Sequence, residues 1–149
     1  MRRLQVNLNK KHVMVVHRRI LKKDKIVYLL TAVRPQKYKG GRSRIVYIGT
    51  TKRGAKRIAG SAAGHAEEIM SERGLKEVVV FVASCASRSG LPTWEWLEKA
   101  LLTAFRAEYE GLPKCNDQGR KLKWNRKLDR MFKRKAIEQI LGHFDVSRN

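Results

Sequence analysis

The stretch Val46-Tyr47-Ile48-Gly49-Thr50, with Arg57 eight residues beyond its glycine, decides how the rest of the chain is read. Its aliphatic and aromatic residues suit a strand, Arg44 to Gly49, that stops at a glycine. Thr50 or Thr51 is a fair N-cap, so a helix is predicted from Lys52 onward. Gly54, Gly60 and Gly64 weaken that helix. It is expected to be short or broken, with a second piece from Ala62 to Arg73 closed by Gly74. Upstream, Ile26 to Val33 is a continuous apolar run, consistent with a buried strand, and Pro35 ends it. Gly40-Gly41 marks a turn. The two strands therefore form a hairpin whose long connection carries Arg34, Lys37, Lys39, Arg42 and Arg44.

Working outward, residues 76–84 read as a strand and Ser84 to Gly90 as a small, polar loop. Pro92-Thr93 opens a long helix to about Tyr109, with Thr93 as its cap and Gly111 and Pro113 as its stop. Trp124, Leu128, Met131, Ile137, Ile140, Leu141 and Phe144 keep helical spacing from residue 124 to 144. Residues 1–25 are basic. The run Val13 to Val16 reads as an edge strand and Lys22-Lys23-Asp24-Lys25 as a turn. The order strand, strand, helix, strand, helix, helix predicts one α/β domain over residues 1–149. Its sheet is small, three-stranded and largely antiparallel, flanked by helices, with the N-terminal edge strand as an addition.

At 149 residues the chain is long enough to bury a core without covalent staples. Its charge is the unusual quantity: 34 Lys and Arg oppose 13 Asp and Glu, a net +21. Self-repulsion of that size opposes folding and a polyanion relieves it, so nucleic acid is the expected partner. Cys85 and Cys115 form no CxxC pair and the four histidines are scattered, which argues against a zinc knuckle or finger. A reduced, cytoplasmic setting fits, with Cys85 as a small core residue. Val13-Met14-Val15-Val16 is too short for a signal-peptide core, and no segment approaches the length of a membrane span. There is no basic helix with a bare apolar face to favour a lipid surface. Walker A and GxGxxG patterns are absent, which disfavours nucleotide hydrolysis.

Four side chains stand out chemically. Glu98 shares a helix face with Trp94, Leu101, Leu102, Phe105 and Tyr109, all aromatic or aliphatic. An acid there is either paired with an arginine at the core edge or held at the rim of a cleft. Burial would raise its pKa and a bound cation would lower it. Glu95 lies farther toward the polar side. Tyr28 and Tyr47 fall on sequential strands. Singly each reads as a packing residue with a wet hydroxyl; together they form a pair of phenols able to hold a water or a phosphate. Arg57 lies on a helix face with Arg53, Gly54, Gly60 and Ser61; apart from Arg53 these are small enough to admit a phosphate to its guanidinium fork, the alternative being a solvated basic face. Gly49 permits either close backbone approach or an unusual dihedral.

Ile26-Val27-Tyr28, Tyr47-Ile48-Gly49, Arg57, Glu98 and Pro113-Lys114-Cys115-Asn116 together resemble the GIY-YIG nuclease family, over residues 26–116. Ile26 stands where the family usually has its first glycine. Ser61 stands where some members have histidine, and Asn116 lies farther from Glu98 than is typical. The resemblance implies a small sheet flanked by helices and a one-metal hydrolysis of phosphodiesters. In it Glu98 holds the divalent ion, magnesium or manganese. Tyr28 or Tyr47 positions or deprotonates the attacking water, with Tyr28 favoured as that base and Tyr47 as the phosphate binder. Arg57 stabilises transition-state charge, and Gly49 and Asn116 are structural.

The expected partner is DNA rather than RNA, with no membrane. Affinity is expected from Arg34, Lys37, Lys39, Arg42 and Arg44 in the hairpin connection and from Lys52, Arg53 and Lys56 beside Arg57. Arg120, Lys121, Lys123, Arg126 and Lys127 in the basic tail complete the set. Trp96 points away from the Glu98 face and is a candidate for exposure and base stacking. Three readings follow: a metal-dependent DNA endonuclease, a basic nucleic-acid-binding protein that does not cleave, and a repair or restriction module acting within a larger complex.

Overall fold

The structure, a computed structural model, describes Gln5 and residues 24–73, 76–117 and 121–146. The edge strand expected at Val13 to Val16, Lys22-Lys23 of the expected turn, Gly74 and Arg120 lie outside the described residues. The elements are β1 (Ile26–Tyr38), β2 (Gly41–Thr51), α1 (Ala55–Arg73), β3 (Val78–Ala83), α2 (Thr93–Tyr109), α3 (Arg126–Met131) and α4 (Arg134–Gly142). The three strands form one antiparallel sheet in the order β2-β1-β3. The α/β class and the helix-flanked antiparallel sheet are those expected.

β1 is central, and its side chains leave alternately to two cores. Val27 and Leu29 join Leu97, Leu101 and Phe105 of α2 and Ile137 and Leu141 of α4. Ile26, Tyr28 and Leu30 join Ile58 and Ile69 of α1. Helices thus cover both faces, which is why the run from Ile26 is continuously apolar rather than alternating.

The hairpin differs from expectation. β1 continues past Pro35 to Tyr38 and β2 starts at Gly41, so only Lys39-Gly40 turns. The long cationic loop is instead a strand extension, with Lys37 directly opposite Arg42. Pro35 is tolerated because the β1–β2 register breaks between Thr31 and Gln36, so its missing N–H breaks no regular ladder. Gly40 N–H donates to Tyr109 O at 3.1 Å and docks the tip on the end of α2.

A second break decides where Tyr47 goes. Leu30 pairs with Tyr47 but Thr31 pairs with Ile45, so Val46 is an extra residue on β2. Ile45 and Ile48 face the α2 core, while Val46 and Tyr47 both face the α1 side. Strict alternation from Ile45 would have aimed Tyr47 at α2. The bulge turns it to the face that carries Tyr28.

Further boundaries move for local reasons. Thr51 Oγ1 accepts from Arg53 N–H at 2.9 Å and closes a turn rather than the helix. Gly54, at φ 59°, takes a left-handed conformation, and α1 starts only at Ala55. α1 then runs unbroken to Arg73 through Gly60 and Gly64, neither of which has any atom within 4 Å of an added Cβ. Thr93 is buried inside the first turn of α2 and does not cap it. The left-handed residue that ends α2 is Glu110, not Gly111. The helix expected from residue 124 to 144 is two helices. Asn125 Oδ1 caps α3 by accepting from Lys127 and Leu128 N–H, and extended backbone at Phe132 and Lys133 separates α3 from α4.

Candidate active site

The two tyrosines meet across the hairpin. Tyr28 sits opposite Gly49, and Tyr47 lies two residues before that glycine, so the phenols are diagonal neighbours with ring centroids 5.8 Å apart. Gly49 is what admits both. A Cβ there would stand 2.5 Å from Tyr47 Cε1 and 2.9 Å from both Cζ and the hydroxyl of Tyr28. Of the two readings open for this glycine, close approach is the one realised. Tyr28 is 3% exposed, whereas Tyr47 is half-buried.

α1 begins four residues after β2 and lies over this face, so residues one turn apart on it reach the phenols in order. Arg57 is exposed, and its positive charge acts on the Tyr47 hydroxyl. Ser61 Oγ lies 2.5 Å from the Tyr28 hydroxyl. The His65 ring stacks on Tyr47 with centroids 3.9 Å apart and planes 31° apart. Sequence reading missed the last two as members of the site. The signal was present in the spacing Arg57, Ser61, His65, but an expected break at Gly60 or Gly64 hid it.

Glu98 comes from α2, on the far face of the sheet. β2 is an outer strand, and the Lys52–Glu95 ion pair, 3.7 Å, ties the turn after β2 to the first turn of α2. Glu98 is half-buried, and its charge reaches the Tyr47 hydroxyl. Tyr47 is pushed above the ordinary tyrosine range by burial, then by Tyr28 through charge and hydrogen bonding, then by Glu98; Arg57 opposes the rise. Tyr47 therefore keeps its proton and acts as a donor. Glu98 itself is pushed up to about 7 by burial and by the neighbouring charge of Glu95. Tyr28, Arg57 and Glu98 are thus linked only through Tyr47, on which each acts; the direct contact is between the two phenols, while Glu98 comes from the helix on the other face of the sheet.

Glu98 would be the protein's ligand to a hard divalent cation here, with water and phosphate completing the shell. A carboxyl destabilised by burial and by a second acid one turn away gains most from a cation. Among the described residues no three His, Cys, Asp or Glu side chains cluster as a dedicated metal cage.

Asn116 supports the site from behind. Its Oδ1 accepts from Ile48 N–H at 2.9 Å and its Nδ2 donates to Ile48 O at 2.8 Å. Cys115 N–H donates to Val46 O at 2.9 Å, at the bulge. The segment through Asn116 thus lines the outer edge of β2 on either side of Tyr47.

Among the described residues the expected cations fall in three places, of which one adjoins the site. Arg34, Lys37, Lys39, Arg42 and Arg44 are exposed along the hairpin, with Lys39 3.1 Å from Glu110. Lys52, Arg53 and Lys56 are exposed beside Arg57. Lys121, Lys123, Arg126 and Lys127 are exposed near α3. Trp96 is half-buried rather than exposed, and Lys127 Nζ sits 4.0 Å above its ring, so its placement gives no support to base stacking. A shallow groove of about 440 Å³ lies across α2 from Glu98, where Arg106 and Arg134 join Lys123 and Trp124. It is remote from the tyrosines.

No family model, curated protein or solved structure matches this chain. The functional reading therefore rests on the residues and their geometry. No helix among the described residues is long and apolar enough to cross a membrane.

Proposed function

We propose that this chain is a divalent-metal-dependent endonuclease of the GIY-YIG type, hydrolysing phosphodiester bonds in nucleic acid, DNA rather than RNA. The observation that carries this reading is the placement of Tyr47. A bulge at Val46 turns it onto Tyr28, and it feels both Arg57 from one helix and Glu98 from the other. A phenol held in its neutral form donates a hydrogen bond to a phosphate oxygen without adding negative charge. Arg57, exposed beside it, offers a guanidinium to the charge that develops on the equatorial oxygens. Tyr28 lies at the floor of the same site, and its hydroxyl would orient the attacking water and, as a phenolate once its own proton has passed to solvent, take the water's proton. Glu98 would hold a magnesium or manganese ion, which when bound supplies Lewis-acid stabilisation of the leaving oxygen.

A binder that does not cleave remains the second reading. The observation in its favour is that Tyr28 is almost wholly buried, with its hydroxyl engaged by both Ser61 and Tyr47. The two readings separate on Glu98→Ala, assayed on supercoiled, linear, branched and single-stranded substrates with and without metal. The nuclease loses metal-dependent cleavage, by about a hundredfold or more for a lost electrostatic stabiliser, while salt-sensitive binding persists. A wild-type chain that binds but cuts none of these, DNA or RNA, with magnesium or manganese is the binder.

A further inference from the structure

Tyr47 is a side chain on an outer strand, and a phenol there would ordinarily sample several rotamers. Here Gly49 leaves no room behind it: a Cβ at that residue would already touch Tyr47 Cε1 at 2.5 Å. Tyr28 flanks it at 5.8 Å between centroids. The remaining side is closed by His65, whose imidazole stacks at 3.9 Å. His65 is itself held. It lies on α1, two turns after Arg57, and its Nδ1 stands 3.6 Å from a Glu68 carboxylate oxygen. Among the described side chains of α1 those in the core are Ile58 and Ile69, and His65 is not one of them. Ser61, one turn earlier, does for Tyr28 what His65 does for Tyr47, using a hydroxyl instead of a ring.

We propose that His65 is a positioning residue that clamps the Tyr47 ring against Gly49 and Tyr28 and so fixes the phenol hydroxyl toward a bound phosphate. The proposal rests on the nuclease reading for its kinetic consequence, but not for the clamp itself. The contact is ring on ring, so the required property is a flat aromatic face rather than a titrating nitrogen. A phenylalanine should serve in its place and an alanine should not. A hydroxyl held within a fraction of an ångström of its productive place raises the rate of the chemical step more than it raises affinity.

The test uses the full chain with isotope-labelled tyrosine and the variants His65→Ala and His65→Phe, each checked for folding by circular dichroism. Tyr47→Phe assigns the resonance. In the wild type the Tyr47 ring protons carry the shift expected beneath a stacked ring. The clamp predicts that His65→Ala removes this shift and speeds ring flipping, and that His65→Phe restores both. On a cleavable substrate with magnesium, His65→Ala should lower kcat by about tenfold or more with KM within about twofold, as lost orientation does. His65→Phe should recover most of kcat. An unchanged Tyr47 resonance in His65→Ala overturns the proposal. So does His65→Phe if it restores the resonance but leaves kcat low, because the imidazole nitrogen would then be acting on the substrate itself. If the wild type cleaves nothing while the resonances behave as stated, the clamp stands and the nuclease reading alone fails.

Discussion

At the scale of single residues, Glu98 carries the most informative chemistry because its environment opposes its charge. Burial and Glu95 raise its carboxyl from 4.5 to about 7. A raised native pKa means that the folded chain binds this proton more tightly than the unfolded chain does. The resulting stability is fully present below pH 4.5 and is lost as pH rises through about 7. Glu98→Gln removes the titration while keeping the shape. At pH 8 it should be more stable than wild type by about 1–2 kcal/mol, the full shift being discounted for partial solvent screening. At pH 4 the two should be equal. Urea unfolding at both values measures this, and equal stability at pH 8 would mean that Glu98 is not held at a cost. A divalent cation should reverse the order at pH 8 by stabilising the wild type alone.

At the scale of elements, the tyrosine pair depends on how β2 is held. Ile48 lies between Tyr47 and Gly49, and both of its outward backbone groups are bonded to one side chain, Asn116. Asn116→Ala leaves an N–H and a C=O on an outer strand to find water. The cost should be about 1–2 kcal/mol, near the usual worth of two amide hydrogen bonds. Urea denaturation reads it, and a change below about 0.5 kcal/mol, the range of ordinary surface substitutions, would mean that Asn116 does not hold the strand. The elements themselves were legible from sequence through their apolar runs and helical spacing, although an apolar run need not be buried: Val79, Val80 and Phe81 of β3 are exposed. Ile26 to Ala32 is buried because it is covered on both faces, whereas Val33, the last residue of the expected buried run, is 51% exposed. What the sequence hid were features fixed by pairing. Nothing local announces that Val46 is an extra residue, since valine is equally at home in regular strand; only the partner strand defines the bulge. Pro35 looked like a stop because a proline cannot extend a regular ladder, and the irregular register around it removes that objection. The tail stripe kept helical spacing across Phe132-Lys133 although the backbone there is extended, because both short helices bury the same side against one core. Of the site, Tyr28, Tyr47, Arg57 and Glu98 were legible as residue types at a spacing. Ser61 was legible only as a small neighbour of Arg57, not as the partner of Tyr28, and His65 was not legible, because its place depends on α1 continuing through both Gly60 and Gly64.

At the scale of the whole molecule, the chain carries a net +21, and among the described residues exposed Lys and Arg lie on both layers that sandwich the sheet. Arg53 and Lys56 lie at the start of α1, on the layer that carries Arg57. On the other layer, Lys123 lines a groove with residues of α2 and α4, and Lys121 precedes it by two residues. A single straight duplex seated on the tyrosine face cannot also lie along the opposite layer. The charge imbalance alone predicts affinity but gives no orientation; the site supplies the orientation. Each phosphate contact on B-form DNA contributes about 0.9 to the slope of log K against log salt. The pair Arg53→Ala with Lys56→Ala should therefore flatten that slope by about 1.8, for two lost contacts. The pair Lys121→Ala with Lys123→Ala should leave the slope nearly unchanged while removing the same formal charge. Binding isotherms of a short duplex at several salt concentrations decide between these outcomes. Equal flattening from both pairs would place the bound nucleic acid on both layers and overturn docking of a duplex at the tyrosine face alone.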